Sequence, residues 1–216
     1  RTSDHYIKDW LPFFDCFTQY IGKNLENTDN LDSRQIETIL KIINNVSSFK
    51  ELTLEKYLTT YLDFINALLK SESINKSEAA IKLIVALIEN NSSNDRIQSW
   101  LQESGLISNI VENPSNPRFQ ETIPILSSLA QKCMIECDDL VNILDNIHSQ
   151  TKEVQKKLND VCYDFILGSR KKGKLHEIEN NVLEKPPSRG FFIFLYQIAK
   201  ISEDYNKFFK KLISCA

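Results

Sequence analysis

The side chains most able to do chemistry here are five cysteines, Cys16, Cys133, Cys137, Cys162 and Cys215, and three histidines, His5, His148 and His176. Cys133-x-x-x-Cys137 resembles half of a metal site. Zinc takes four ligands, commonly as two close pairs, and only His148 stands nearby. The spacing therefore reads as two small thiols at a helix end, with no metal ligand assigned. A cysteine protease needs a Cys and a His, oriented by Asn or Asp. His5 lies near the N-terminal end, and His148 and His176 fall on helical patterns. No Gly-rich or strained turn is expected to present a cysteine for attack, so no catalytic residue is assigned. Nor is there a Gly-rich phosphate loop, a helical HExxH or an acidic calcium loop, and no cofactor is implied.

Two other clusters could serve binding rather than reaction. Arg170-Lys171-Lys172-Gly173-Lys174 is the one dense basic run. It could meet an acidic partner or phosphate, although a short run without interleaved aromatics is more often a solvated linker. Phe191, Phe192, Phe194 and Tyr196 form an aromatic run that reads first as core. If exposed, it is the leading partner-binding patch. Arg170, Lys171, Lys172, Lys174, Phe191 and Phe192 are accordingly the candidate partner-binding residues.

Helices must position all of these. Leu11, Phe14, Phe17, Tyr20, Ile21 and Leu25 recur at spacings of three and four, one stripe of an amphipathic helix with Pro12 in its first turn. Ser33 is the expected N-cap of a second helix through Val46, and Thr53 of a third through Leu69. Asn75 or Ser77 starts a fourth, apolar almost all round and so expected to be covered on both sides. Ser93 or Asn94 opens a short fifth, which Gly105 closes. Asn116-Pro117 supplies a cap and a first-turn proline for a helix that Pro124 should kink or split. Asp138 or Asp139 caps the next, Thr151 precedes the one after, and the linker SRKKGK follows. A helix around 175–183 ends at Pro186-Pro187, and Phe191–Ile213 holds one or two more.

No segment alternates as a strand does. With 216 residues, 42% hydrophobic content, and only 5 Gly and 6 Pro, the chain is expected to be all-α and ordered. Ten or so helices joined by polar corners fit a compact bundle or an armadillo- or HEAT-like α-solenoid of stacked helix pairs. The solenoid is the preferred architecture, as one domain over 1–216 with a sub-boundary at 168–174. A net charge of −3 argues against nucleic-acid binding. The longest apolar runs fall short of the roughly 20 residues of a membrane helix. An odd, scattered set of cysteines fits a reduced, cytoplasmic protein. The first residue is Arg rather than Met, so a fragment of something longer is expected.

One stretch carries a family resemblance. Arg96–Ile107, RIQSWLQESGLI, followed by Asn116-Pro117-Arg118-Phe119, resembles a segment in the non-catalytic helical region of the large fat facets-type ubiquitin-specific proteases. There, a WI/WLQ helix leads to a Leu/Ile–x–x–Val turn, a proline–aromatic helix start and an acidic DLDNIW-like helix. Asp139–His148, DLVNILDNIH, stands where that last element would be, and Val161-Cys162-Tyr163-Asp164-Phe165 is similar to the aromatic–Asp–Phe close after it. The resemblance covers roughly residues 80–166. It implies an armadillo-like scaffold upstream of a separate catalytic domain. The Cys and His boxes of that domain have no counterpart in this chain, so no enzymatic activity is expected of it. The implied partners are other proteins, including ubiquitylated substrates reached through the parent protease. The alternative is an armadillo- or HEAT-type interaction domain of an unrelated intracellular scaffold, transport or cytoskeletal protein.

Overall fold

A computed structural model describes residues 3–25, 27–47, 54–90, 95–112, 114, 118–147, 150–202, 206, 210, 213 and 214. The described residues are all-helical, with no strand among them. The principal elements are α1 (Ser3–Asn24), α2 (Ser33–Ser47), α3 (Leu54–Lys70), α4 (Ile74–Asn90), α5 (Asp95–Glu103), α6 (Leu106–Glu112), α7 (Phe119–Gln131), α8 (Cys137–Asn146), α9 (Lys152–Lys171), α10 (Leu175–Glu184) and α11 (Arg189–Ala199). A short 3-10 turn, Thr28–Asn30, joins α1 to α2. The chain divides into two compact units, residues 1–104 and 105–216.

In the first unit, α1 packs on α3, and α4 lies against both α2 and α3. Side-chain register gives the directions. Asp15 pairs with Tyr57 and Thr18 with Tyr61, so α1 and α3 run parallel. Phe14 faces Tyr57 and Phe17 faces Tyr61 in the same order. Lys76, in the first turn of α4, reaches the Thr28 carbonyl just before α2, which brings the starts of α2 and α4 together. The expectation for α4 holds: Ala80, Ile81, Leu83, Ile84, Leu87 and Ile88 are buried against neighbours on two sides.

The second unit repeats the relation between helices two apart. Asp164 accepts from Ser127 and Gln131, and Cys133 meets Ser169, so α7 and α9 are parallel along their length. Arg189 donates to Gln155 and Phe194 packs edge-on against Phe165, which aligns α11 with α9. Close approach is built in with glycine: the Cβ position of Gly168 lies 2.6 Å from the Gln131 carbonyl oxygen, so any side chain there would meet α7.

Several helix ends differ from the sequence expectations. Asp32, not Ser33, caps α2: its Oδ1 accepts from Gln35 N–H at 2.8 Å, while its own N–H donates to Gln35 Oε1 at 2.9 Å. This reciprocal box needs a side chain three residues on, which Gln35 supplies. At α8 the cap is Glu136, with Asp139 accepting from its N–H, so the helix starts ahead of both expected aspartates. Helix α4 begins at Ile74, just before Asn75. Pro12 sits in the interior of α1 rather than in its first turn, because the helix starts at Ser3. Pro124 does not split α7, which continues from Phe119 to Gln131 with the proline on its exposed side. Thr151, expected just ahead of α9, caps it, accepting from Val154 N–H at 3.3 Å. Gly105, at φ +68°, closes α5 in the left-handed conformation that glycine adopts readily. The α10 helix stops just before Pro186-Pro187. The expected caps Thr53, Ser93 or Asn94, and Asn116-Pro117 lie outside the described residues.

Candidate functional site

The two most buried cysteines are chemically quiet. Cys137, at the start of α8, has its thiol pushed up to about 12 by burial. Burial also raises Cys162, on α9, with a smaller push from neighbouring Cys137. Attack and metal binding both require thiolate, and both groups hold their protons at neutral pH. Cys16 is exposed on α1. His148 and Cys215 lie outside the described residues. Among the described residues, no three or more Cys, His, Asp or Glu side chains gather as a metal site would require.

Cys133 corrects the sequence reading, which expected no strained turn at a cysteine. It has φ +50°, a left-handed conformation that costs an ordinary residue roughly 1–2 kcal/mol. The cause is the end of α7: Cys133 N–H donates to the Ala130 carbonyl and Met134 N–H to the Leu129 carbonyl. That pair of bonds is a Schellman closure. Helix α9 ends the same way, Gly173 N–H bonding to Arg170 and Lys174 N–H to Ser169, with Gly173 at φ +72°. The two closures lie together, since Cys133 Sγ is 3.4 Å from Ser169 Oγ. Cys133 therefore completes a helix end and is half-buried within it.

The paired helix ends also account for the basic run. Arg170 and Lys171 belong to the last turn of α9, and only Lys172–Lys174 lie between helices, so the first half of the expected linker SRKKGK is helical. Lys172 Nζ donates to the Lys132 carbonyl at the end of α7. Each helix C-terminus presents roughly half a negative charge, and two such ends meet here. Arg170, Lys171, Lys172 and Lys174 are all exposed around them. Compensation of the helix ends is a sufficient reason for basic residues at this spot.

One cluster has the membership of a hydrolytic triad. Glu179 on α10 is a buried carboxylate that accepts from Ser202 Oγ at 2.7 Å, and His176 Nδ1 stands 3.6 Å from its other oxygen. Nucleophile activation needs the imidazole between the hydroxyl and the carboxylate. Here the carboxylate stands between the other two, and the second ring nitrogen of His176 faces Asn180 at 3.3 Å. The arrangement ties α10 to the segment after α11, with the Ser202 hydroxyl on the carboxylate rather than on the imidazole.

An open apolar groove of about 350 Å³ lies between α1 and α2, lined by Phe17, Tyr20, Ile39 and Ile42. Its polar rim is committed locally: Asp32 and Gln35 cap α2, and Thr38 donates to the Arg34 carbonyl. No cysteine or histidine lines it.

The aromatic run divides by helical angle. Phe191, Phe194, Leu195 and Ile198 face inward, with Phe191 at 0% exposure. Phe191 is therefore core and cannot contact a partner. Phe192 is 37% and Tyr196 59% exposed on the opposite side of α11. Lys200 places its ammonium 4.3 Å from the Tyr196 ring centre. Tyr196 belonged to the aromatic run read from the sequence, but Lys200 did not, although steps of four from Phe192 lead to both.

Among the described residues, no helix is long and apolar enough to cross a membrane. No protein-family model, no curated protein and no solved structure matches the chain.

Proposed function

We propose that this chain is a non-catalytic, partner-binding segment of a large ubiquitin-specific protease, arranged as an armadillo- or HEAT-like α-solenoid. The observation that carries the reading is the parallel packing of helices two apart in sequence, α1 with α3 and α7 with α9. Stacked helix pairs produce that relation, and stacking yields extended surface rather than a reactive pocket. Burial holds the Cys137 and Cys162 thiols protonated at neutral pH, in keeping with a structural role for these two residues. The resemblance over residues 80–166 suggests the parent family and, with it, ubiquitylated substrates reached through the parent, while the odd, scattered cysteines favour a cytoplasmic setting. Incubation of the chain with a ubiquitin-derived fluorogenic substrate tests the non-catalytic assignment. No release of fluorophore is expected, and turnover would overturn it.

The same helix stacking supports a second reading, an armadillo- or HEAT-type domain of an unrelated intracellular scaffold. Charge reversal at Lys171 and Lys174 in a pull-down with the chain tests whether the basic helix ends add to partner contact in either case. Capture that survives both reversals assigns these residues to the helix ends alone.

A further inference from the structure

The outward stripe of α11 is built for a partner of definite chemistry. Arg189, Phe192, Tyr196 and Lys200 follow one another at steps of three, four and four, which at 100° per residue keeps all of them within about 80° of arc. This stripe lies opposite the buried side formed by Phe191, Phe194, Leu195 and Ile198. Two exposed aromatics are thus bracketed by a guanidinium and an ammonium, some 16 Å apart along the axis at 1.5 Å per residue. Residues 189–200 contain no Asp or Glu. Neither bracketing cation pairs with a carboxylate among the described residues: Arg189 bonds the neutral Gln155, and Lys200 lies over Tyr196 beside Gln197. Elsewhere in this unit basic side chains do find carboxylates, as Lys157 does with Glu153 and Lys185 with Asp138.

Resting on the partner-binding reading above, we propose that this stripe docks an acidic amphipathic helix. Its carboxylates would stand about three turns apart, with an apolar row between them. A ridge of side chains four apart packs into the groove of another helix, aromatic side chains anchor such contacts, and the two cations set partner charge and register.

The probe is a fluorescein-labelled helical peptide of Ala, Leu and Gln with Glu eleven residues apart at its ends, compared with the same peptide carrying Lys there. Fluorescence anisotropy is measured with the full chain. The Glu peptide is expected to bind about fivefold to tenfold tighter than the Lys peptide, as two exposed ion pairs allow. Phe192→Ala with Tyr196→Ala should weaken it about tenfold or more. Arg189→Glu with Lys200→Glu should reverse the preference between the peptides. All four side chains lie at or near the surface, and helicity by circular dichroism should match wild type, with the charge variants providing a test independent of the aromatic pair. Equal affinity for both peptides, binding unchanged by either pair of substitutions, or no binding alongside sedimentation with anionic vesicles would overturn the proposal. None of these results bears on ubiquitin turnover, so the non-catalytic reading stands or falls separately.

Discussion

Replacing Gly168 by Ala places the parallel packing of α7 and α9 under direct strain. The new Cβ would stand 2.6 Å from the Gln131 carbonyl oxygen, 3.1 Å from its carbon and 3.2 Å from the Ala130 oxygen. All three are backbone atoms at the end of α7, so no side chain can swing aside. Restoring an ordinary contact requires a shift of more than half an ångström between helices already tied by the Cys133–Ser169 contact and by Lys172 on Lys132. Overpacking of this kind costs typically 1–3 kcal/mol. Against it, Ala in a helix interior gains about 1 kcal/mol over Gly, leaving a net loss centred near 1 kcal/mol. Gly22 on α1 separates the two effects, because nothing lies within 4 Å of its Cβ position. Gly22→Ala should stabilise by up to about 0.5–1 kcal/mol. The difference between the two variants isolates the packing cost. Urea melts followed at 222 nm measure both, and Trp10 and Trp100 make tryptophan emission a reporter of the first unit alone. A Gly168→Ala chain stabilised as much as Gly22→Ala would refute the close α7–α9 approach.

Gly105→Ala should lower stability by about 1 kcal/mol, the cost of forcing a Cβ into the left-handed region, since Gly105 sits at φ +68°; an unchanged urea midpoint would contradict that end to α5. Brief iodoacetamide labelling at pH 8, read by peptide mapping, should modify exposed Cys16 but spare Cys137 and Cys162. Modification of the latter pair at the Cys16 rate would contradict burial that holds the Cys137 thiol near 12. Burial also raises the Asp139 carboxyl above its ordinary 3.8, outweighing the hydrogen bond from Glu136. The folded chain then binds the extra proton, so this group's contribution is full below 3.8 and is lost as pH rises through the folded value. Asp139→Asn should remove that component, and a difference between wild type and variant that stays flat across the acid range would count against it.

Much of the fold was legible because a stripe of apolar residues at spacings of three and four has one solution. The apolar circumference of α4 correctly implied neighbours on two sides. Caps were less legible: Asp32 and Ser33 are both good N-caps, and the choice depended on which aligned with Gln35. The left-handed Cys133 carried no signal, since glycine takes that place at the matching end of α9. The parallel register of α1 with α3 and of α7 with α9 was invisible for a different reason. It rests on pairs such as Thr18–Tyr61 and Ser127–Asp164, which are 43 and 37 residues apart. At the candidate site, the run Phe191–Phe192 gave residue types but not sides, and the helical phase moved one into the core and left the other out.

The most direct test of the proposed function is the coding sequence of the parent protein read downstream of this segment. A ubiquitin-specific protease domain with its Cys and His boxes is the expected result. A complete downstream reading frame without those boxes would contradict the assignment and leave the helical stack to an unrelated scaffold.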